Sequence, residues 1–143
     1  MFQQRRISRQ KATLALLLTA GFVFVLCLET MMLAKDRQLF GAWQAMAGEG
    51  AQLVDYIGAL LVRLLITLAF PVTYAIYVFV AQRRGTMPWF AKVAWGLFLA
   101  YTALMKVLEG QTGNAFWYVS VALAIGILLV HLQIDRLEER RRP

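Results

Sequence analysis

Residues that usually carry chemistry are scarce in this chain. It holds one cysteine, Cys27, and one histidine, His131, so a disulfide within the chain and a zinc framework are both excluded. Six methionines are present, but none is organised opposite His131 as a haem ligand pair requires. Acidic residues number eight against fifteen Lys and Arg, and no paired carboxylates or nucleophile–base set stands out. No catalytic residue, metal ligand or cofactor is therefore expected, and the chain is not read as an enzyme. Low-complexity tracts are absent. The two halves share no matching motif, which argues against an inverted-repeat transporter.

What the chain has in abundance is apolar residues. Of its 143 residues 60% are hydrophobic, and they fall into four runs, each near the roughly 20 residues that a membrane-crossing helix requires. The expected fold is all-α: one transmembrane domain, a polytopic four-helix bundle with helices over about 12–33, 53–81, 89–108 and 115–132. A net charge of +7 would suit nucleic acid, but the basic residues lie between the apolar runs, and no basic patch is interleaved with aromatics on a polar face. The expected partners are membrane lipid and either further copies of the chain or other membrane-protein subunits, and not nucleic acid.

The first run follows MFQQRRISRQK and continues into Glu29, Thr30, Met31 and Met32, with no small-residue cleavage site. It reads as a retained helix and not as a signal peptide. In the segment 35–52 the spacing of Leu39 or Phe40, Trp43 and Met46 predicts a short helix lying at the lipid headgroups, ended by Gly48 and Gly50. Tight turns at 83–88 and 109–114 separate the remaining runs. Beyond Leu132 the fourth helix is expected to continue as a cytoplasmic stub, IDRLEERRRP, where Glu138 and Arg142 have favourable four-residue spacing. Eleven of the fifteen Lys and Arg fall on the side of the N-terminus: Arg5, Arg6, Arg9, Lys11, Arg83, Arg84, Lys92, Arg136, Arg140, Arg141 and Arg142. That asymmetry predicts both termini in the cytoplasm, with short loops in the style of a bacterial inner-membrane protein.

Arg63 lies inside the second run, where an ionisable group is costly. Helical spacing aligns Tyr56, Arg63, Thr67, Phe70, Tyr74 and Tyr77 on one stripe, and Lys92, Trp95, Thr102, Lys106 and Glu109 on a stripe of the third helix. Glu29 lies one turn inside the far end of the first helix. The candidate site is thus an intramembrane polar cluster of Glu29, Arg63, Thr67, Tyr74, Thr102 and Lys106. A Glu29–Arg63 ion pair with Lys106 nearby is the expected arrangement; the alternatives are Arg63 snorkelling to headgroups and a water-lined pore. Small residues at four-residue spacing, Gly96 with Ala100, Ser120 with Ala124 and Ala122 with Gly126, are candidate helix-packing positions. His131 lies four residues before Asp135, a spacing that allows a hydrogen bond, and Cys27 is expected to be inert. Pro71 is expected to kink the second helix, with the Thr67 hydroxyl satisfying the freed carbonyl.

In hydropathy profile alone the layout resembles the phosphate-starvation-inducible PsiE family of small bacterial membrane proteins. That family has an acidic residue in the second helix and a basic one in the third. This chain has Arg63 and Lys106 there, so the resemblance assigns no residue a role. The functional expectation is a non-catalytic, self-associating or accessory subunit of a membrane complex. The alternative is an oligomeric channel or small-solute transporter whose pathway is lined by the second and third helices.

Overall fold

Each apolar run becomes a helix in the computed structural model of the chain, which describes residues 4–111 and 113–134, with side chains from residue 6 onward. In chain order the elements are strand β1 (Gln4–Arg6), helices α1 (Arg9–Lys35), α2 (Arg37–Ala47) and α3 (Leu53–Arg84), strand β2 (Thr86–Pro88), and helices α4 (Trp89–Leu108) and α5 (Ala115–Leu132). The helices α1, α3, α4 and α5 are long and apolar enough to cross a membrane, and they fit a multi-pass membrane protein. At 1.5 Å per residue the shortest is about 27 Å long, close to the ~30 Å hydrocarbon core.

The helix boundaries follow local chemistry. Asp36 caps α2, its carboxylate accepting from the amides of Gln38 (2.9 Å) and Leu39 (3.3 Å), and Gly48 closes it at a φ of 107°. At the start of α3 the Asp55 carboxylate accepts from the Gln52 amide at 2.9 Å. Gly85 ends α3 with φ 72°, a left-handed conformation that costs a side-chain-bearing residue about 1 kcal/mol or more. Asn114 caps α5 by accepting from the Phe116 amide at 3.0 Å.

Helix α1 is the centre of the bundle, packed against both α3 and α5, and α5 in turn packs on α4. Helices α3 and α4 meet chiefly through side chains. Phe70 stacks on Phe98 with ring centroids 5.8 Å apart, and Trp95 lies 5.5 Å from Tyr74 and 5.7 Å from Tyr77. At one end of the bundle β1 and β2 form an antiparallel ribbon with Arg6 opposite Thr86. The Ile7 amide donates to the Gly85 carbonyl (3.1 Å) and the Ser8 amide to the Ile134 carbonyl (3.0 Å). Ile7, Met87 and Ile134 are buried beneath this ribbon.

The bundle is all-helical as expected, and three details differ. The ribbon is an addition that the apolar pattern does not announce. Helices α1 and α3 run past the expected 12–33 and 53–81 to Arg9, Lys35 and Arg84, because charged residues continue the hydrogen-bonded helix beyond the end of the apolar run. Helices α4 and α5 coincide with 89–108 and 115–132. Instead of continuing as a stub, α5 stops at Leu132 and Gln133–Ile134 turn back under the ribbon. The rest of the expected stub, with Glu138 and Arg142, lies outside the described residues.

Candidate functional site

At the end of the bundle away from the ribbon, three helices bring four charged residues into one chain of contacts. Glu29 comes from α1, Arg63 from α3 and Lys106 from α4, while Glu109 caps the end of α4 one turn beyond Lys106. The Lys106 ammonium donates to Glu29 Oε1 (3.0 Å), Glu29 Oε2 (2.9 Å) and Glu109 Oε2 (2.8 Å). An ammonium has three N–H groups, and each finds a carboxylate oxygen here. The remaining oxygen of Glu109, Oε1, accepts from Arg63 Nη2 at 3.2 Å. The order Arg63, Glu109, Lys106, Glu29 alternates in sign and sums to zero.

This corrects the expected Glu29–Arg63 pair. Arg63 takes Glu109, and Glu29 takes Lys106. The two halves of the network also differ in exposure. The Glu29 and Lys106 side chains are 5% and 9% exposed, and that of Arg63 is 58%. Removing two charges from water is costly, and full hydrogen bonding offsets that cost. A small polar hollow adjoins them, lined in part by Thr30, Arg63, Thr67, Lys106 and Glu109.

Thr67 lines this hollow and Thr102 the neighbouring apolar cleft, but their hydroxyls are turned to their own helices. Thr67 donates to the Arg63 carbonyl (2.8 Å) and Thr102 to the Phe98 carbonyl (2.9 Å). The Thr67 hydroxyl therefore does not satisfy the carbonyl of residue 67, the one that Pro71 leaves free. The Lys106 carbonyl, at the end of α4, accepts from Trp117 Nε1 at 2.8 Å, which fastens the start of α5 to the end of α4.

One to two turns towards the ribbon the interior becomes apolar. A cleft there is lined by Phe22, Phe70, Trp95, Phe98, Leu99 and Ile127, among others. Tyr74, on its ribbon side, is fully buried and shares a hydrogen bond of 3.0 Å with Nδ1 of the equally buried His131. His131 Nε2 lies 2.9 Å from the Lys92 carbonyl. A carbonyl only accepts, so Nε2 carries the hydrogen; in the neutral ring Nδ1 then accepts from the Tyr74 hydroxyl. This bond between α3 and α5 was not anticipated, since Tyr74 and His131 are 57 residues apart in sequence. Asp135, the partner expected for His131, lies outside the described residues.

The small residues divide between interior and surface. A methyl group at Gly96 would meet the His131 ring at 3.8 Å, and one at Gly126 would meet Leu18 at 3.7 Å. Ser120 and Ala124 are buried, whereas Ala100 and Ala122 are exposed. Of the three spaced pairs only Ser120–Ala124 is buried at both positions. Cys27 is half-buried. Among the described residues no group of three or more His, Cys, Asp or Glu is placed to hold a metal ion.

In comparisons with known proteins, no family model, no curated protein and no solved structure matches this chain.

Proposed function

We propose that the chain is a non-catalytic integral membrane subunit that associates with further copies of itself or with other membrane proteins. The observation that carries this reading is the closure of its polar interior upon itself. Glu29, Lys106, Glu109 and Arg63 neutralise one another. The apolar layer of Phe22, Phe70, Trp95 and Phe98 separates them from the ribbon end, where Ile7, Met87 and Ile134 are buried. The hollow beside the charged cluster is only about 40 Å³, while the long helices carry many exposed Leu, Ile, Val and Phe side chains for lipid or for other helices.

In this reading the protein sits in a bacterial cytoplasmic membrane with both termini and the ribbon inside. Helix α2, which buries no residue of its own, lies at the outer headgroups, with Phe40 and Trp43 packed on Tyr56. The alternative, an oligomeric channel or transporter, draws support from Arg63, whose exposed guanidinium would face a shared axis between protomers.

Mass measurement of the protein purified in mild detergent tests the first reading. It expects a defined oligomer or a stoichiometric membrane partner, together with proteoliposomes that hold an ion gradient. A gradient that collapses with the wild type and is held by Arg63→Ala or Lys106→Ala would replace it with the channel.

A further inference from the structure

The seam between α3 and α4 changes character along its length. At the end away from the ribbon it is bridged by the bond from Arg63 Nη2 to Glu109 Oε1, and both side chains reach the surface there, 58% and 29% exposed. Two turns towards the ribbon Phe70 stacks on Phe98 across the same seam, and each ring is about half exposed. Between these levels the Thr67 and Thr102 hydroxyls are taken up by their own helices. The seam thus offers its surroundings an ion pair at one end and an aromatic wall along the rest. Arg63 uses one of its five N–H groups on Glu109, its one side-chain hydrogen bond among the described residues. Donors without an acceptor are costly beside hydrocarbon, and depth supplies the acceptor. Arg63 precedes Arg83 by twenty residues in α3, about 30 Å along the helix, which matches the thickness of the hydrocarbon core. With Arg83 at one boundary of the core Arg63 stands at the other, where the lipid phosphates of that leaflet begin.

We infer that this seam seats one phospholipid of the phosphatidylethanolamine kind, its phosphate on Arg63, its ammonium on Glu109 and an acyl chain along Phe70 and Phe98. Charge selects the headgroup. The cluster of Glu29, Arg63, Lys106 and Glu109 sums to zero, so a headgroup of net negative charge gains at Arg63 and loses at Glu109, whereas one carrying both signs matches both. A guanidinium fork fits the paired oxygens of a phosphate. Each Glu109 oxygen has one protein donor and a second lone pair for an ammonium N–H. Phe70 lies about 10 Å along α3 from Arg63, within the half-thickness of the core that an acyl chain crosses.

The test uses the full chain, stripped of lipid in a non-ionic detergent. Micelles doped with phosphatidylethanolamine, phosphatidylglycerol or phosphatidylcholine are titrated in, and bound lipid is counted by native mass spectrometry. Phosphatidylethanolamine is expected to bind most tightly, with a loss of about fivefold for Arg63→Gln and a smaller loss for Arg63→Lys. Glu109→Gln is expected to turn the preference towards phosphatidylglycerol, because it leaves Arg63 as a surplus positive charge. Arg9→Gln, at the ribbon end, is expected to change nothing, and unaltered elution of every variant shows that the bundle is intact. The same spectra count protein copies, so lipid binding and self-association are read separately. Equal retention of phosphatidylethanolamine and phosphatidylglycerol by the wild type, or equal losses with Arg9→Gln and Arg63→Gln, would overturn the inference. So would Arg63→Gln lowering the number of copies with lipid binding unchanged, since a second copy and not a lipid would then cover Arg63.

Discussion

Lys106 illustrates how an ammonium is accommodated inside an apolar bundle. With all three of its N–H groups on carboxylate oxygens, deleting one member of the buried pair leaves a charge with no counterpart. Single replacement of a buried ion-pair partner costs about 3–5 kcal/mol, whereas replacing both removes the desolvation cost along with the attraction. Lys106→Met alone is therefore expected to destabilise the protein strongly, and Glu29→Gln with Lys106→Met to recover much of the loss. Thermal unfolding in detergent micelles measures both, and a double variant no better than the single would argue against a direct pair. Arg63 is the opposite case. Its side chain is 58% exposed, and an ion pair in that setting contributes about 0–1 kcal/mol. Arg63→Gln is expected to shift unfolding only slightly, so a loss as large as that of Lys106→Met would mean that Arg63 is buried in an assembly of several copies.

The elements show which parts of the design are written locally. Both ends of α4 and the start of α5 could be read from Pro88 and Gly110, which act through their backbones, and from Asn114, whose side chain caps α5, and the spans of α1 and α3 from their apolar runs. The ribbon could not be read, since Gln4–Arg6 has no alternating pattern and pairs with the distant residues Thr86–Pro88. Helical spacing likewise put Glu29, Arg63 and Lys106 at comparable depth, but depth leaves open how each helix is rotated against its neighbours, and rotation decides that Arg63 meets Glu109. Gly96 was legible as a packing residue and its partner was not: it faces the His131 ring. Gly96→Ala is expected to be tolerated, because the added methyl sits at ordinary contact distance and Ala favours the helix by about 1 kcal/mol. Gly96→Leu should displace the ring and break its bond to Tyr74, seen as a fall in melting temperature and a changed tyrosine fluorescence. Under the ribbon, Met87 is 1% exposed, and Met87→Ala should cost about 2–5 kcal/mol as its cavity fails to refill.

For the molecule as a whole the decisive asymmetry is electrostatic. The ribbon end carries Arg6, Arg9, Lys11, Arg83, Arg84 and Lys92, whereas the basic residues towards the other end, Lys35, Arg37, Arg63 and Lys106, stand among all five described carboxylates. Lys and Arg near the ends of membrane helices are retained in the cytoplasm, while acidic residues weigh little in orientation. The ribbon joins residues 4–6 to the α3–α4 turn, which requires α1 and α3 to cross as a pair; if α4 and α5 do the same, both termini lie on the ribbon's side. A reporter active only in the cytoplasm is therefore expected to work when fused at either terminus, and one active only outside it to work when inserted at Gly48–Gly50, between α2 and α3. Replacing Arg83 and Arg84 by Gln should weaken the bias without abolishing it, since Arg6, Arg9, Lys11 and Lys92 remain. Reporters showing the two termini on opposite sides would require an odd number of crossings and would overturn the four-crossing topology.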